Sequence, residues 1–392
     1  MRASSRQVVL AAALAIALVV TPLVGCTTSE DEGGGEPYKI GAVVSLSGTY
    51  AGLGEPERNT IEMEVERIND AGGVHDRDIE VIIEDDATDE AQAQSAAEKL
   101  IEQEKVVALI GATGTGQSMA MRTAIQDGKI PQMSMAGGTV ITAEFDPLVF
   151  QTPWSNTLVV PYLFDYLQGQ GISKIALMSD TGGFGADGKA VIEAAVADFG
   201  IEIVSNEVFN PGDTDMTTQL TKAKGSGADA LVLWSAGAEA SVVLTNAQEL
   251  EIGMPIYGSH GNARMQLIEG AGAAAEGFVF PAGKVLVPEA YGEGTEGYNV
   301  ATDFISRYED KFGSAPSTFA GHAYDALYLI VEAMKRLPED FTSAELRDEI
   351  EKTSGFVGIG GTFSFSAADH NGMTESDLVL YKIENGTWVV IE

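Results

Sequence analysis

Short apolar runs alternate with longer stretches of helical periodicity from Tyr38 to the end of the chain. The short runs predict strands because they are rich in β-branched residues and bounded by turn residues. In the first part of the chain they lie at 38–44, 78–84, 105–110 and 130–134. Helices are predicted between them at 56–70, 88–103 and 117–127. The order βαβαβαβ predicts a parallel sheet with right-handed crossovers.

The same order repeats further along the chain. After a helix at 158–168, strands are predicted at 174–180, 201–208, 228–234 and 255–257, and helices at 186–199, 214–224 and 238–250. The remainder predicts helices at 298–312, 318–336 and 343–353 and a C-terminal hairpin. The fold class is therefore α/β, with two similar Rossmann-like lobes. Parallel sheets bind ligands at the carboxyl ends of their strands, so two facing edges form a cleft.

The N-terminus has the pattern of an export signal. Arg2 and Arg6 precede an uninterrupted apolar run at 8–20, which is too short to span a bilayer comfortably. The following Leu-Val-Gly-Cys resembles the lipobox of bacterial lipoproteins, in which the cysteine is lipidated and becomes the new N-terminus. Cys26 is the only cysteine. We expect a signal peptide at 1–25 and a lipid on Cys26; the alternative is an ordinary signal peptide or membrane anchor that contains a cysteine by chance.

Charge restricts the partners. The 392 residues carry a formal net charge of −35, and such a surface repels nucleic acid and anionic lipid headgroups. A lipid rather than a basic patch must therefore hold the protein at the outer face of the cell membrane. Residues 26–37 are small, acidic and glycine-rich, which predicts a flexible tether.

A glycine-rich segment, Gly111–Gly116, joins the third predicted strand to a helix. Free backbone amides and the helix dipole favour an anion such as a carboxylate at this position. Thr113 and Thr115 add hydroxyl donors, and Thr139 after the next strand adds another. The alternative is that these residues only form turns and helix caps.

Eight segments, taken together and in this order, resemble the leucine/isoleucine/valine-binding family of periplasmic binding proteins. They are residues 40–48, 68–73, 109–117, 136–139, 180–188, 212–215, 256–261 and 318–325. The resemblance implies two lobes joined by a three-crossing hinge, which we place near Trp154, Pro281 and Glu375. It divides the chain into lobe 1 (38–154 and 282–375) and lobe 2 (155–281 and 376–392).

The resemblance also implies a set of ligand-binding residues. Positions matching Thr113, Gly137 and Thr139 hold the α-carboxylate and part of the ammonium of an amino acid in the family. Phe184 stands where members often have tyrosine, and it is expected to cover the ligand. Trp154 is a further candidate for the cleft lining, although an aromatic beside a hinge is about as often a packing residue.

His260 departs from the family pattern, because amino-acid-binding members have a carboxylate at this position to pair with the ammonium. A neutral imidazole cannot compensate a buried ammonium. Either Asp180 or Glu239 replaces the carboxylate, or the ligand has no ammonium. The alternative is that His260 is an ordinary histidine of a surface loop.

Other functions fit less well. A nicotinamide-dependent enzyme would need the glycine-rich loop after its first strand and an acidic residue about 20 residues later to bind the ribose. Here the loop follows the third predicted strand. No hydrolase motif is present in the sequence. His322 and Asp325 are expected to be a packing or capping pair rather than a catalytic dyad. No cofactor or metal site is predicted. We expect a binding protein that captures a small amino acid or related carboxylate for an ABC permease. An accessory protein that reports the ligand to a membrane receptor remains the alternative.

Overall fold

The computed structural model describes residues 35–143 and 145–391. The predicted signal peptide, Cys26 and most of the tether lie outside the described residues. Two parallel-rich sheets form the scaffold. The first has the strand order β2-β1-β3-β4-β5 and is entirely parallel. Its strands are β1 Tyr38–Val44, β2 Ile79–Asp85, β3 Ala108–Gly111, β4 Gln132–Ser134 and β5 Val149–Gln151.

The second sheet has the order β14-β13-β10-β9-β8-β6-β7. Its strands are β6 Lys174–Asp180, β7 Glu202–Phe209, β8 Ala230–Trp234, β9 Ile256–Gly258, β10 Val279–Gly283, β13 Leu378–Glu384 and β14 Thr387–Val390. Strands β13 and β14 form the expected C-terminal hairpin and pair antiparallel, and the other strands are parallel. A separate two-stranded ribbon consists of β11 Phe356–Val357 and β12 Thr362–Phe363.

Helices cover the sheets, as the alternating pattern predicts. They are α1 Ala51–Asp70, α2 Glu90–Lys99, α3 Thr115–Ala120, α4 Arg122–Gly128, α5 Val140–Ala143, α6 Asn156–Gly169, α7 Gly183–Ala195, α8 Thr217–Gly225, α9 Glu239–Glu249, α10 Met265–Ala271, α11 Glu296–Phe312, α12 Thr318–Arg336 and α13 Ser343–Ile350. The inner strands β3 and β8 are buried along their whole length, as expected for strands covered on both faces. Among the described residues, none of these helices has the length and apolar character needed to cross a membrane.

The helix α1 begins earlier than the sequence predicts. The predicted helix begins at Pro56, whereas α1 begins at Ala51 and contains the proline. Gly54 lets this first turn approach β1, because a Cβ there would lie 2.0 Å from the Ser45 carbonyl oxygen. The turn therefore lies against the carboxyl end of β1, where it reaches the space between the sheets.

The three predicted hinge positions lie at or near the ends of strands of the two sheets. Pro281 lies inside β10, opposite Leu380 of β13, and the chain leaves the sheet only after Gly283. Trp154, the first predicted position, lies between β5 and α6, and Glu375, the third, begins a short turn just before β13. After β10, α12 packs on α1, β3 and β4, so this later segment contributes to the layer around the first sheet. The exact lobe boundaries stay a prediction.

Candidate functional site

A cavity lies between the carboxyl edges of the two sheets. Its empty volume is about 380 Å³, counting space open to solvent. Its lining comes from the segments that follow β1, β3, β4, β5, β6, β8 and β9, including the first turns of α3 and α7, and from the helices α1 and α12. The lining residues are Tyr50, Leu53, Thr113, Gly114, Thr115, Met135, Ala136, Gly137, Pro153, Phe184, Ala236, His260, Gly261, Phe319 and His322. Strand direction thus places the cavity where parallel sheets bind ligands.

The structure brings five of the seven predicted ligand-binding residues to this cavity. Thr113, Thr115 and Gly137 approach from the first sheet, and Phe184 and His260 approach from the second. Thr139 and Trp154 are absent from the described lining. The ligand contacts of all seven residues stay predictions.

Thr139 is occupied by protein partners instead of facing the cavity. Its amide donates to Asp187 Oδ2 at 2.7 Å. Its hydroxyl lies 3.1 Å from Ser155 Oγ and accepts a hydrogen bond from Thr157 N at 3.2 Å. Thr139 therefore connects the segment after β4 with α7 and with the start of α6.

Trp154 packs close to the cavity, between β5 and α6. Its ring is buried and would meet a Cβ added at Gly283 at 2.2 Å, so it fills the space beside the end of β10. The edges or faces of His260 and His322 meet it with ring centroids 6.4 Å and 5.2 Å away. The Trp154 ring therefore packs against both histidine rings and restricts their orientation.

His260 is a neutral, buried histidine and not one of a surface loop. It is 4% exposed, and burial lowers its pKa to about 3. Neither ring nitrogen has a partner of normal hydrogen-bond geometry among the described residues, although the nearby Trp154 carbonyl opposes the pKa shift. At least one ring nitrogen is thus available to a molecule in the cavity.

His322 is a site residue that the sequence interpretation missed. It is not paired with Asp325: that carboxylate accepts hydrogen bonds from the amides of Ile359 and Gly360, both at 2.6 Å. His322 lines the cavity, and burial, together with the neighbouring His260, lowers its pKa to about 3. Its Nδ1 has no partner in the described part of the chain.

The two threonines of the glycine-rich loop differ in availability. The Thr115 hydroxyl is buried and without a partner among the described residues. Thr113 Oγ1 accepts a hydrogen bond from Ser45 N at 3.0 Å and lies 2.5 Å from Glu57 Oε2. Thr113 therefore already has protein partners, whereas the Thr115 hydroxyl has none among the described residues. In addition, α3 is short, so its dipole contributes little.

Three ionisable residues, Asp180, Glu239 and Arg264, flank the cavity where the edges meet. Burial raises the pKa of Asp180 to about 7, and its Oδ1 accepts a hydrogen bond from Gly182 N at 2.8 Å. Glu239 accepts from the Gly212 amide at 2.5 Å. Burial lowers the pKa of Arg264 to about 10, opposed by Glu239 and Tyr50.

The cavity itself is uncharged. Among the described residues that line it, none is Asp, Glu, Lys or Arg, and Asp180 and Glu239 lie outside this lining. The side chains of Leu53, Met135, Phe184 and Phe319 supply apolar surface. Within the same described ranges, no cluster of three or more His, Cys, Asp or Glu side chains suits a metal ion. This arrangement favours a small, largely apolar molecule with few polar groups.

Similar proteins have the same fold. A structure of an extracellular ligand-binding receptor from Rhodopseudomonas palustris superposes with a TM-score of 0.85 at 26% identity, covering 90% of this chain and 99% of that one. A branched-chain amino acid transporter substrate binding protein from Streptococcus pneumoniae, solved in complex with isoleucine, has a TM-score of 0.80 at 28% identity, with coverages of 91% and 99%.

Relatives found by sequence comparison are also named as amino-acid-binding proteins. A Leu/Ile/Val-binding protein homolog of Brucella melitensis is 25% identical over 90% of this chain and 93% of its own length. A leucine-, isoleucine-, valine-, threonine- and alanine-binding protein of Pseudomonas aeruginosa is 24% identical over 83% and 86%. The family model described as periplasmic binding protein matches residues 37–387. The chain therefore belongs to the periplasmic binding protein family, whose members are binding proteins and not enzymes.

Proposed function

We propose that this chain is the solute-binding component of an ABC importer and captures a small carboxylate in the cavity between its two sheets. The relatives support the transport role: one is named for five amino acids, and another is named as a transporter substrate binding protein. The observation that carries the proposal is a set of buried polar groups in the cavity lining that have no partner among the described residues, namely Thr115 Oγ1, His322 Nδ1 and at least one His260 ring nitrogen. Unpaired buried polar groups are costly unless a ligand satisfies them.

The ligand class follows from charge. An α-ammonium removed from water needs a carboxylate partner, and the described cavity lining offers none. Asp180 and Glu239 accept hydrogen bonds from backbone amides outside the lining. Two neutral histidines, His260 and His322, line the cavity instead, and the resemblance implies a carboxylate at the position of His260. Ammonium-free carboxylates, such as aromatic or short organic acids, are therefore preferred over aliphatic amino acids.

A thermal-shift screen of the lipid-free protein tests this function. The panel contains leucine, valine, their 2-oxo acid counterparts, benzoate and phenylacetate. We expect stabilisation by one or more of the ammonium-free acids, because a ligand that binds only the folded state raises its melting temperature. Hinge closure on that ligand is expected to reduce the radius of gyration in solution scattering. A panel without any stabilising compound would contradict the proposed function.

The proposal includes a lipid anchor on Cys26 that holds the protein on the outer face of the membrane. The support is the lipobox-like sequence after an apolar run. Cys26→Ser is expected to release soluble protein or to leave unprocessed precursor. If this variant fractionates with membranes and migrates like the wild type, the anchor is elsewhere or absent.

A further inference from the structure

A buried carboxyl group lies directly behind the cavity wall. Glu57 of α1 is 0% exposed, and its Oε2 lies 2.5 Å from Oγ1 of the lining residue Thr113. Its Oε1 has no partner, and no Lys or Arg forms a salt bridge with it, among the residues that the structure describes. Burying an unpaired carboxylate costs much more free energy than burying the neutral carboxylic acid.

The charged neighbour of Glu57 is another acid. Asp86, after β2, is itself buried and accepts hydrogen bonds from Ser45 Oγ at 2.6 Å and Thr88 N at 2.8 Å. Burial raises the pKa of Glu57 well above its ordinary value; the Thr113 hydrogen bond opposes this shift and Asp86 adds to it. Geometry and charge therefore favour a proton on Glu57.

The protonation state of Glu57 determines whether the Thr113 hydroxyl can donate a hydrogen bond to a ligand. A hydroxyl has one proton and two acceptor sites, and Ser45 N already donates to Thr113 Oγ1. An ionised Glu57 accepts the hydrogen bond of the Thr113 hydroxyl, so this hydroxyl has no proton left to donate to a ligand. A protonated Glu57 donates to the second acceptor site instead, and the Thr113 proton is then free to point into the cavity.

We propose that Glu57 acts in its carboxylic acid form as a positioning residue, which turns the Thr113 hydroxyl into a donor for the carboxylate of the ligand. This inference rests on the proposed function and explains how the cavity selects an anion without any cationic side chain in its described lining. Ligand affinity is then linked to the Glu57 proton. It is full below the pKa of Glu57 in the free protein and falls as the pH rises above it, by about tenfold per pH unit for one linked proton.

Calorimetric titration with benzoate and with 4-methyl-2-oxopentanoate, the 2-oxo acid of leucine, tests the inference over about pH 5 to pH 10. Above the pKa of Glu57, binding is expected to take up a proton, so affinity falls with rising pH. Glu57→Gln, whose amide donates at every pH, is expected to remove this slope of affinity against pH. Thr113→Ser is expected to keep the slope and Thr113→Val to lose it. Asp180→Asn is the matched control for another titrating acid near the site, and it is expected to keep the slope.

The opposite results are distinct. Binding without a pH slope, a slope that survives Glu57→Gln, or proton release on binding would overturn the inference while the proposed function stands. If neither acid binds and the thermal-shift panel is also without effect, both fail. Infrared spectra of the ligand-free protein give a readout that needs no ligand: the wild type is expected to show a protonated-carboxyl band near neutral pH that Glu57→Gln removes. Identical spectra would overturn the inference.

Discussion

Asp187 accepts a 2.7 Å hydrogen bond from the backbone amide of Thr139, and this contact joins the two sides of the cavity. Asp187 lies on α7 after the first strand of the second sheet, whereas Thr139 follows β4 of the first sheet. The same carboxylate accepts hydrogen bonds from Val140 N at 3.2 Å and from Asn156 Nδ2 at 2.7 Å. The described conformation is therefore held by one acid that satisfies three donors.

Asp187→Ala is expected to weaken ligand binding because it leaves these donors without their acceptor in the described conformation. The loss of a buried partner costs about 1–3 kcal/mol, or roughly five- to 150-fold in affinity if the cost falls on closure. Asp187→Asn keeps one acceptor oxygen and is expected to lose less. Calorimetry and scattering of the ligand-bound protein measure both effects, and wild-type affinity in the alanine variant would contradict the role of this contact.

Gly137→Ala is expected to reduce affinity by about tenfold or more, the effect of overpacking a tight site. The new Cβ would lie 2.3 Å from His260 Nε2 and 3.2 Å from the Trp154 carbonyl oxygen, so one of these groups must move. Gly169→Ala is the control, because a Cβ there meets no described atom within 4 Å. Equal ligand affinity in the two variants would show that Gly137 is not part of the site.

Thr115→Val is expected to lower affinity for a carboxylate by about tenfold, since a hydrogen bond to a charged group contributes about 1.5–3 kcal/mol. The wild-type hydroxyl is buried without a partner among the described residues, so its removal costs the folded protein little. Thr115→Ser restores the donor and is expected to recover most of the affinity. Unfolding curves of the ligand-free variants check that only binding has changed, and an unchanged affinity in Thr115→Val would exclude Thr115 from the site.

His322→Gln is expected to reduce the acid sensitivity of the fold. Burial lowers the folded-state pKa of His322 to about 3, below the ordinary value of 6.5, so the unfolded chain binds the proton more tightly. Its contribution is therefore full above about pH 6.5 and is lost as the pH falls toward 3, at about 1.4 kcal/mol per pH unit. Denaturant unfolding near pH 7 and pH 5 measures the difference, and parallel pH profiles for wild type and variant would contradict it.

Much of the fold could be predicted from periodicity. The predictions for β6 and α12 match the structure residue for residue, because each has a strong apolar pattern and clear turn residues at its ends. The short strand β5 was missed because three residues contain too little alternation to distinguish a strand from a loop. Pro281 suggested a break, yet β10 continues through it because pairing with β13 and β9 outweighs the local preference.

The site could be predicted only where strand order determines it. The loops carrying Thr113, Gly137, Phe184 and His260 follow parallel strands, so they meet at the cavity. His322 belongs to α12, far along the chain, and its approach depends on how that helix packs on the first sheet. Side-chain partners were also beyond the sequence, because the spacing of Thr139 and Ser155 does not reveal that they contact each other.

The most direct test of the account compares leucine with 4-methyl-2-oxopentanoate by calorimetry, because the two share a carbon skeleton and differ in the ammonium. The cavity has no carboxylate in its described lining, and His260 stands at the position where amino-acid-binding relatives of this family are expected to have one. We expect the wild type to bind the 2-oxo acid more tightly than leucine, and His260→Glu to gain leucine binding, whereas His260→Gln does not. Tighter binding of leucine than of the 2-oxo acid by the wild type would contradict the account.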